Sequence, residues 1–362
     1  MDKIKEHGGY RIKADKTVFG SLEKCYAITS FYYNGEKHLV AAAEKSDPCY
    51  TYSLDGEIKD TLWTEPGGVM TVLQVPGQEI LLATRKFYSP DESSEAEIIY
   101  VRNNGSGWQM KTLCRLPFVH RFGILERNHR YYLIACTLKS AHAFPGDWTC
   151  PGRVWVSPLP EDITQYDEEH EMTLYPLVSG LYKNHGFRIC REEGCDYALI
   201  GSENGVFKIV PPEDAESEWI TEQILNEPVS DMVYVDFDND GQLELLTLSP
   251  FHGDTVSIYQ LQADHYVKVW EAKEKYPFLH AIDQAVIRNK GYAFIGNREG
   301  ERALMAVSFD FGTGSYKTDI LDHGAGPANV MYFQDRANTD GYLFASNRES
   351  DEVAVYKLNA EE

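Results

Sequence analysis

Seven runs of apolar and small residues recur along the chain, each closing on a polar or turn residue: Leu39 to Lys45, Ile80 to Lys86, Tyr132 to Lys139, Tyr197 to Asn204, Leu243 to Pro250, Tyr292 to Arg298 and Tyr342 to Glu349. After a short polar link comes a stretch of alternating side chains, as in Thr255-Val256-Ser257-Ile258-Tyr259 and Glu352-Val353-Ala354-Val355-Tyr356. Continuous runs of this length predict strands covered on both faces, and two-residue alternation predicts strands covered on one. Ahead of each run lies another strand, opening at Lys24, Met70, His120, His185, Asp231, His280 and Asn329. These openings lie 46, 50, 65, 46, 49 and 49 residues apart. A period in the high forties with four strands per unit predicts an all-β chain, a seven-bladed β-propeller of four-stranded antiparallel sheets.

The spacing of 65 predicts an insertion in blade three, at about residues 140–152. Blade seven runs out of chain at Glu362 before a fourth strand, while Tyr10 to Phe19 alternates and has no other partner. That N-terminal segment is expected to complete the last sheet, hiding edges that an open ring would leave. Residues 1–362 read as a single propeller domain. The acidic segments Glu161–Glu171 and Glu213–Glu222 are each expected to form one helical turn.

Composition narrows the partners. A net charge of −22 excludes nucleic acid, whose phosphates need a basic face, and disfavours anionic membranes. Met1 to His7 has no apolar core, so no signal peptide is expected, and no apolar run approaches the ~20 residues of a membrane span. Seven cysteines, an odd number without a Cys-x-x-Cys pair, predict reduced, mostly structural thiols in a cytoplasmic protein.

Two constellations carry chemistry. The first is Asp236-Phe237-Asp238-Asn239-Asp240-Gly241-Gln242-Leu243-Glu244, between the inner and second strands of blade five. Asp236, Asp238, Asp240 and Glu244 are spaced to converge, with the Gln242 carbonyl completing a shell of hard oxygens suited to structural Ca²⁺. A turn rich in Asp and Gly is the metal-free alternative. Leu245-Leu246 follow as a strand, so the loop resembles the calcium loop of FG-GAP or VCBS repeats rather than an EF-hand.

The second constellation lies at the opposite end of the strands. Inner strands open where second strands end, so His120, His185, Asp231, His280 and Asn329 are expected around one mouth with His252, Lys139, Arg298 and Arg348 just outside. Histidines serve proton transfer near neutral pH, and imidazoles also ligate divalent transition metals. Cations hold a carboxylate or enolate. Trp148, in the blade-three insertion, is expected either to stack on a sugar ring or to tuck into its own loop. Of the remaining histidines, His142 and His323 are placed within reach of the mouth.

His120-Arg121, Asn184-His185-Gly186-Phe187-Arg188, the Asp236–Glu244 loop with His252-Gly253, and His280 followed by Gly296-x-Arg298 resemble successive blades of aldos-2-ulose dehydratase/isomerase-type propellers over residues 115–358. The resemblance implies bound metal ions, His120, His185, His252 and His280 as site histidines, Arg298 as a substrate-binding cation, and elimination of water from a keto-sugar. Two readings follow: a lyase or isomerase acting on a small sugar, or a non-catalytic propeller binding a carbohydrate or protein on the same face. Two-carboxylate glycoside hydrolysis is weaker, because Asp231, Glu44 and Glu203 form no evident pair. Which histidine serves as acid and which as base stays open, as do the substrate and the oligomeric state.

Overall fold

The computed structural model describes residues 10–45, 48–214 and 216–361. Met1 to His7, read above as lacking a signal sequence, lies outside them. Seven four-stranded antiparallel sheets account for almost all regular structure, and the chain is a seven-bladed β-propeller. Inner strands begin at Cys25, Val72, Val119, Gly186, Asp231, Leu279 and Asn329, each within two residues of its expected opening. The described residues group into two compact units, one formed by Tyr26–Asp231 and the other by the residues up to Cys25 together with Met232–Glu362.

Why these runs become strands is visible in what covers them. The second strand of blade six, Lys290–Asn297, is buried at every position, and that of blade two, Ile80–Arg85, at all but the last. Adjacent sheets pack face to face: Leu246 and Leu248 of blade five meet Ile295 and Met305 of blade six, and Phe294 meets Leu343 and Tyr356 of blade seven. In the other unit Ile134 and Cys136 of blade three meet Ala198 and Ile200 of blade four. Each large apolar side chain buried this way contributes roughly 1.5–3 kcal/mol, so the continuous runs hold the fold. Outermost strands such as Ile220–Leu225 are largely exposed.

The N-terminal strand Arg11–Ser21 pairs antiparallel with the last strand, Glu352–Glu361, from Arg11 opposite Glu361 to Ser21 opposite Glu352. Blade seven is thereby completed by the other end of the chain. Arg288 and Ala360 both bond the Asp340 carboxylate, fastening this sheet to the blade-six hairpin.

Two expectations need correction. The excess length of blade three is divided between 140–150 and 160–174, on either side of the strand Pro151–Leu159. Only one expected helical turn forms, Ile163–Gln165, capped by the Asp162 side chain on the Thr164 amide. Near Glu213–Glu222 the Asp214 side chain instead accepts from Glu216 and Ser217 amides, a local turn, before the strand Ile220–Leu225 begins. All seven cysteines are free thiols, and burial raises Cys25, Cys49, Cys114 and Cys136 well above an ordinary thiol. No helix among the described residues is long and apolar enough to cross a membrane.

Candidate functional site

Each unit brings two of the four expected histidines together. In the Tyr26–Asp231 unit the His120 and His185 rings lie 4.7 Å apart, both rings buried. His185 Nδ1 is 3.0 Å from the Ser230 carbonyl, which only accepts, so Nδ1 carries a proton and the lone pair of the uncharged tautomer falls on Nε2. Gly186 makes that anchor possible: a Cβ there would sit 2.8 Å from the Ser230 oxygen. His120 Nε2 lies 3.3 Å from the Tyr26 hydroxyl, and Phe87 packs edge-on at 5.1 Å. Asp231, expected beside them, is buried.

In the other unit His252 and His280 lie 5.4 Å apart. His280 repeats the His185 arrangement, its Nδ1 donating to the Ala328 carbonyl at 2.7 Å. Ser230 and Ala328 are each the residue before the next inner strand opens, so the two anchors are the same device in blades four and six. Asn329 is half-buried, its amide donating to Ser346 Oγ. Arg298 and Arg348 share one carboxylate: Arg298 Nε and Nη2 reach Glu349 Oε1 at 2.9 and 2.8 Å, and Arg348 Nη1 reaches it at 2.7 Å. Burial opposes ionisation of Glu349, but the two guanidinium charges outweigh it and hold the carboxyl below its ordinary range. Two guanidinium groups thus converge on one carboxylate oxygen, a grouping of cations of the kind that can meet an oxyanion.

Lys139 is corrected, and Trp148 lies half-buried in the insertion. Lys139 is fully buried, its ammonium bonded to Asp91 at 2.7 Å and to the Asp147 carbonyl at 3.0 Å. The Trp148 ring lies 4.4 Å over that ammonium. Asp147 ties the loop from within, accepting from Ala143 and Thr149 amides and the Thr149 hydroxyl, which lowers its carboxyl to about 2. This lysine anchors the insertion and has no surface to offer a substrate. An Arg or Lys at a strand end reads the same in sequence whether it faces solvent or a loop folded over it.

The acidic loop is partly as expected. Ligand oxygens of Asp236, Asp238 and Glu244 lie within 4.8 Å of one another, and Gly241 adopts the left-handed turn, φ +89. Asp236 Oδ1 is buried without a hydrogen bond. Burial, with the charges of Asp238 and Asp236 behind it, raises the Glu244 carboxyl above its ordinary range. Both features fit a cation. Asp240 stands apart from this group: its carboxylate accepts from the Gln242 amide at 2.8 Å and side chain at 3.5 Å, closing the turn. Of the four expected carboxylates, three converge.

Sequence reasoning missed Tyr26, Asp91 and Glu349, whose roles come from contacts spanning 94, 48 and 51 residues. No local signal marks them.

No family model and no curated protein matches the chain. Solved structures do. A streptogramin B lyase aligns over 97% of this chain and 98% of its own, with a TM-score of 0.56 and 12% identity. The virginiamycin B lyase of Staphylococcus aureus aligns over 96% and 99%, with a TM-score of 0.57 and 12% identity. At that identity the likeness is one of fold, and both place the whole chain in the seven-bladed propeller architecture.

Proposed function

We propose that this chain is a carbon–oxygen lyase in which histidine imidazoles perform elimination next to a carbonyl. The supporting observation is the His252–His280 pair: two imidazoles 5.4 Å apart, one with its tautomer fixed, in the unit that also carries the Arg298–Glu349–Arg348 cluster. One imidazole takes the proton beside the carbonyl, whose oxygen gains charge facing Arg298. The electron pair then forms the double bond, the C–O bond breaks with its electrons leaving on oxygen, and the second imidazole protonates that oxygen. The step balances without oxidant or reductant. In the Tyr26–Asp231 unit His120 and His185 form a second pair of the same chemistry, with Asp231 as its substrate contact; Asn329 and Arg348 take that part in the unit of His252 and His280.

Both structural neighbours are named as lyases, which favours the reaction class. For substrate we favour a small keto-sugar, on the resemblance described under Sequence analysis. A divalent transition metal suits the imidazole at His280, because giving Nδ1–H to the Ala328 carbonyl leaves Nε2 as the ligating atom. Such an ion would supply an electrophile for the carbonyl oxygen. At the acidic loop we propose Ca²⁺ held by Asp236, Asp238 and Glu244, serving the hairpin rather than the reaction.

The test is to incubate the purified chain with keto-sugars, anhydro-sugars and a streptogramin B depsipeptide, with and without divalent metals, and follow formation of the conjugated double bond by ultraviolet absorbance. Turnover that disappears in His280→Asn supports the lyase. Binding of a sugar without any elimination would replace it with the non-catalytic reading.

A further inference from the structure

Pro117-Phe118-Val119-His120 and Pro277-Phe278-Leu279-His280 place the same residue types ahead of two inner strands. In both, the phenylalanine is left-handed, at φ +64 and +59. A residue with a Cβ held there is strained and persists where the surroundings impose it. The turn itself does not demand phenylalanine. Gly68, φ +76, stands two residues before the Met70 opening, and Gly326, φ +59, three before Asn329.

What the phenylalanine adds is a ring, and each ring meets a histidine from a loop. Phe118 lies edge-on to His142 at 5.7 Å. Phe278 lies face to face with His252 at 4.2 Å and 24°. The Arg298 guanidinium also sits over the Phe278 ring, at 4.5 Å. One phenyl face holds a single planar group at such separations, so imidazole and guanidinium take opposite faces. Phe251 covers the other side of His252 at 3.8 Å and 23°. The result is four layers: Phe251, His252, Phe278, Arg298. Glu349 closes the last through a hydrogen bond from Arg298 Nε and an ion-pair contact to Nη2.

We propose that Phe278 is a positioning residue, holding the plane of His252 and the guanidinium of Arg298 in fixed register. Both faces of His252 are covered, so the imidazole can present only its edge, where both nitrogens lie. The left-handed backbone aims the ring between its two neighbours, and that placement is the return for the strain. The proposal extends the lyase reading, in which His252 and Arg298 are proton-transfer group and cation.

The experiment uses the full chain with labelled histidines, with the His252 ring signals assigned by their loss in His252→Gln. In the wild type, nuclear magnetic resonance should show the His252 ring protons shifted upfield, as expected between two phenyl faces. Phe278→Gly suits the backbone and Phe278→Leu keeps apolar bulk, so neither strain nor packing explains a change common to both. Both should lose a large part of the upfield shift, Phe278→Tyr should restore it, and Phe118→Gly should leave it unchanged. Absence of the shift in the wild type, or its retention in both Phe278→Gly and Phe278→Leu, overturns the proposal. With turnover in hand, Phe278→Leu should lower kcat roughly a hundredfold, the cost of a small misplacement, with recovery in Phe278→Tyr. The ring shift is read without substrate, so a wild type with the shift but no elimination would refute the lyase reading while the positioning stands.

Discussion

His185 and His280 occupy the same place in blades four and six, each donating Nδ1–H to the carbonyl that precedes the next inner strand. Their companions are held differently. His120 is buried with its Nε2 beside the Tyr26 hydroxyl, whereas His252 lies half-buried on a left-handed loop between aromatic rings. The cations differ as well. Lys139 is committed inside the insertion, while Arg298 and Arg348 converge on one carboxylate. Backbone anchors fix a tautomer, and side-chain stacks fix a plane. The unit from Met232 onward has both, together with a cation able to meet an oxyanion.

The strongest way to break this comparison is to remove Nε2 from each anchored imidazole while keeping its donor to the carbonyl. His280→Asn should lower turnover roughly 10²–10⁴-fold, the range of a lost proton-transfer group. The melting temperature should move little, because the Ala328 carbonyl keeps a partner. His185→Asn separates the units: an equal loss makes both pairs part of the chemistry, and unchanged turnover would confine it to the His252–His280 pair.

Lys139→Met asks the opposite question. Taking the buried ammonium away from partly exposed Asp91 and the Asp147 carbonyl should cost about 1–3 kcal/mol in urea or thermal unfolding. Turnover per folded molecule should hold. A raised KM with unchanged stability would return Lys139 to the substrate.

Calcium sharpens the contrast between units. A calcium concentration a hundredfold above Kd should stabilise the chain by about 2.7 kcal/mol, and Asp238→Ala should abolish that increment. An equal effect of the substitution in chelator would remove the ion from the account.

The smallest effect is a pH slope. Glu244 is raised in the folded state by burial and by its acidic neighbours, so between the ordinary glutamate value and its folded value the native chain binds more protons than the unfolded one. Stability of the ion-free chain should therefore fall as pH rises through that window, and Glu244→Gln should flatten the slope. Calcium should reverse it, since coordination needs the ionised carboxylate. An unchanged slope in Glu244→Gln would place its origin elsewhere.

Much of the architecture was legible in order and spacing. Strand periodicity, the repeat, the closing N-terminal strand and the four histidines follow from residue type and position, because a sheet buried on both faces must be apolar wherever it lies. Short-range chemistry was legible too, as in the Gly241 turn and the convergence of Asp236 with Glu244 seven or eight residues apart. The repeated Pro-Phe-x-His was readable as a pattern, but its meaning lay in φ, which residue names do not carry.

Contacts formed across dozens of residues were decided by tertiary structure alone. Lys139 met Asp91 instead of solvent, Glu349 gathered two arginines, and Asp240 turned from the cation group to its own loop. Hydrophobic periodicity is dictated locally, by which face of a strand must leave water. The partner of a charged or aromatic side chain is dictated by which remote segment the closed fold brings within a few ångströms, and the linear chain holds no distance between them.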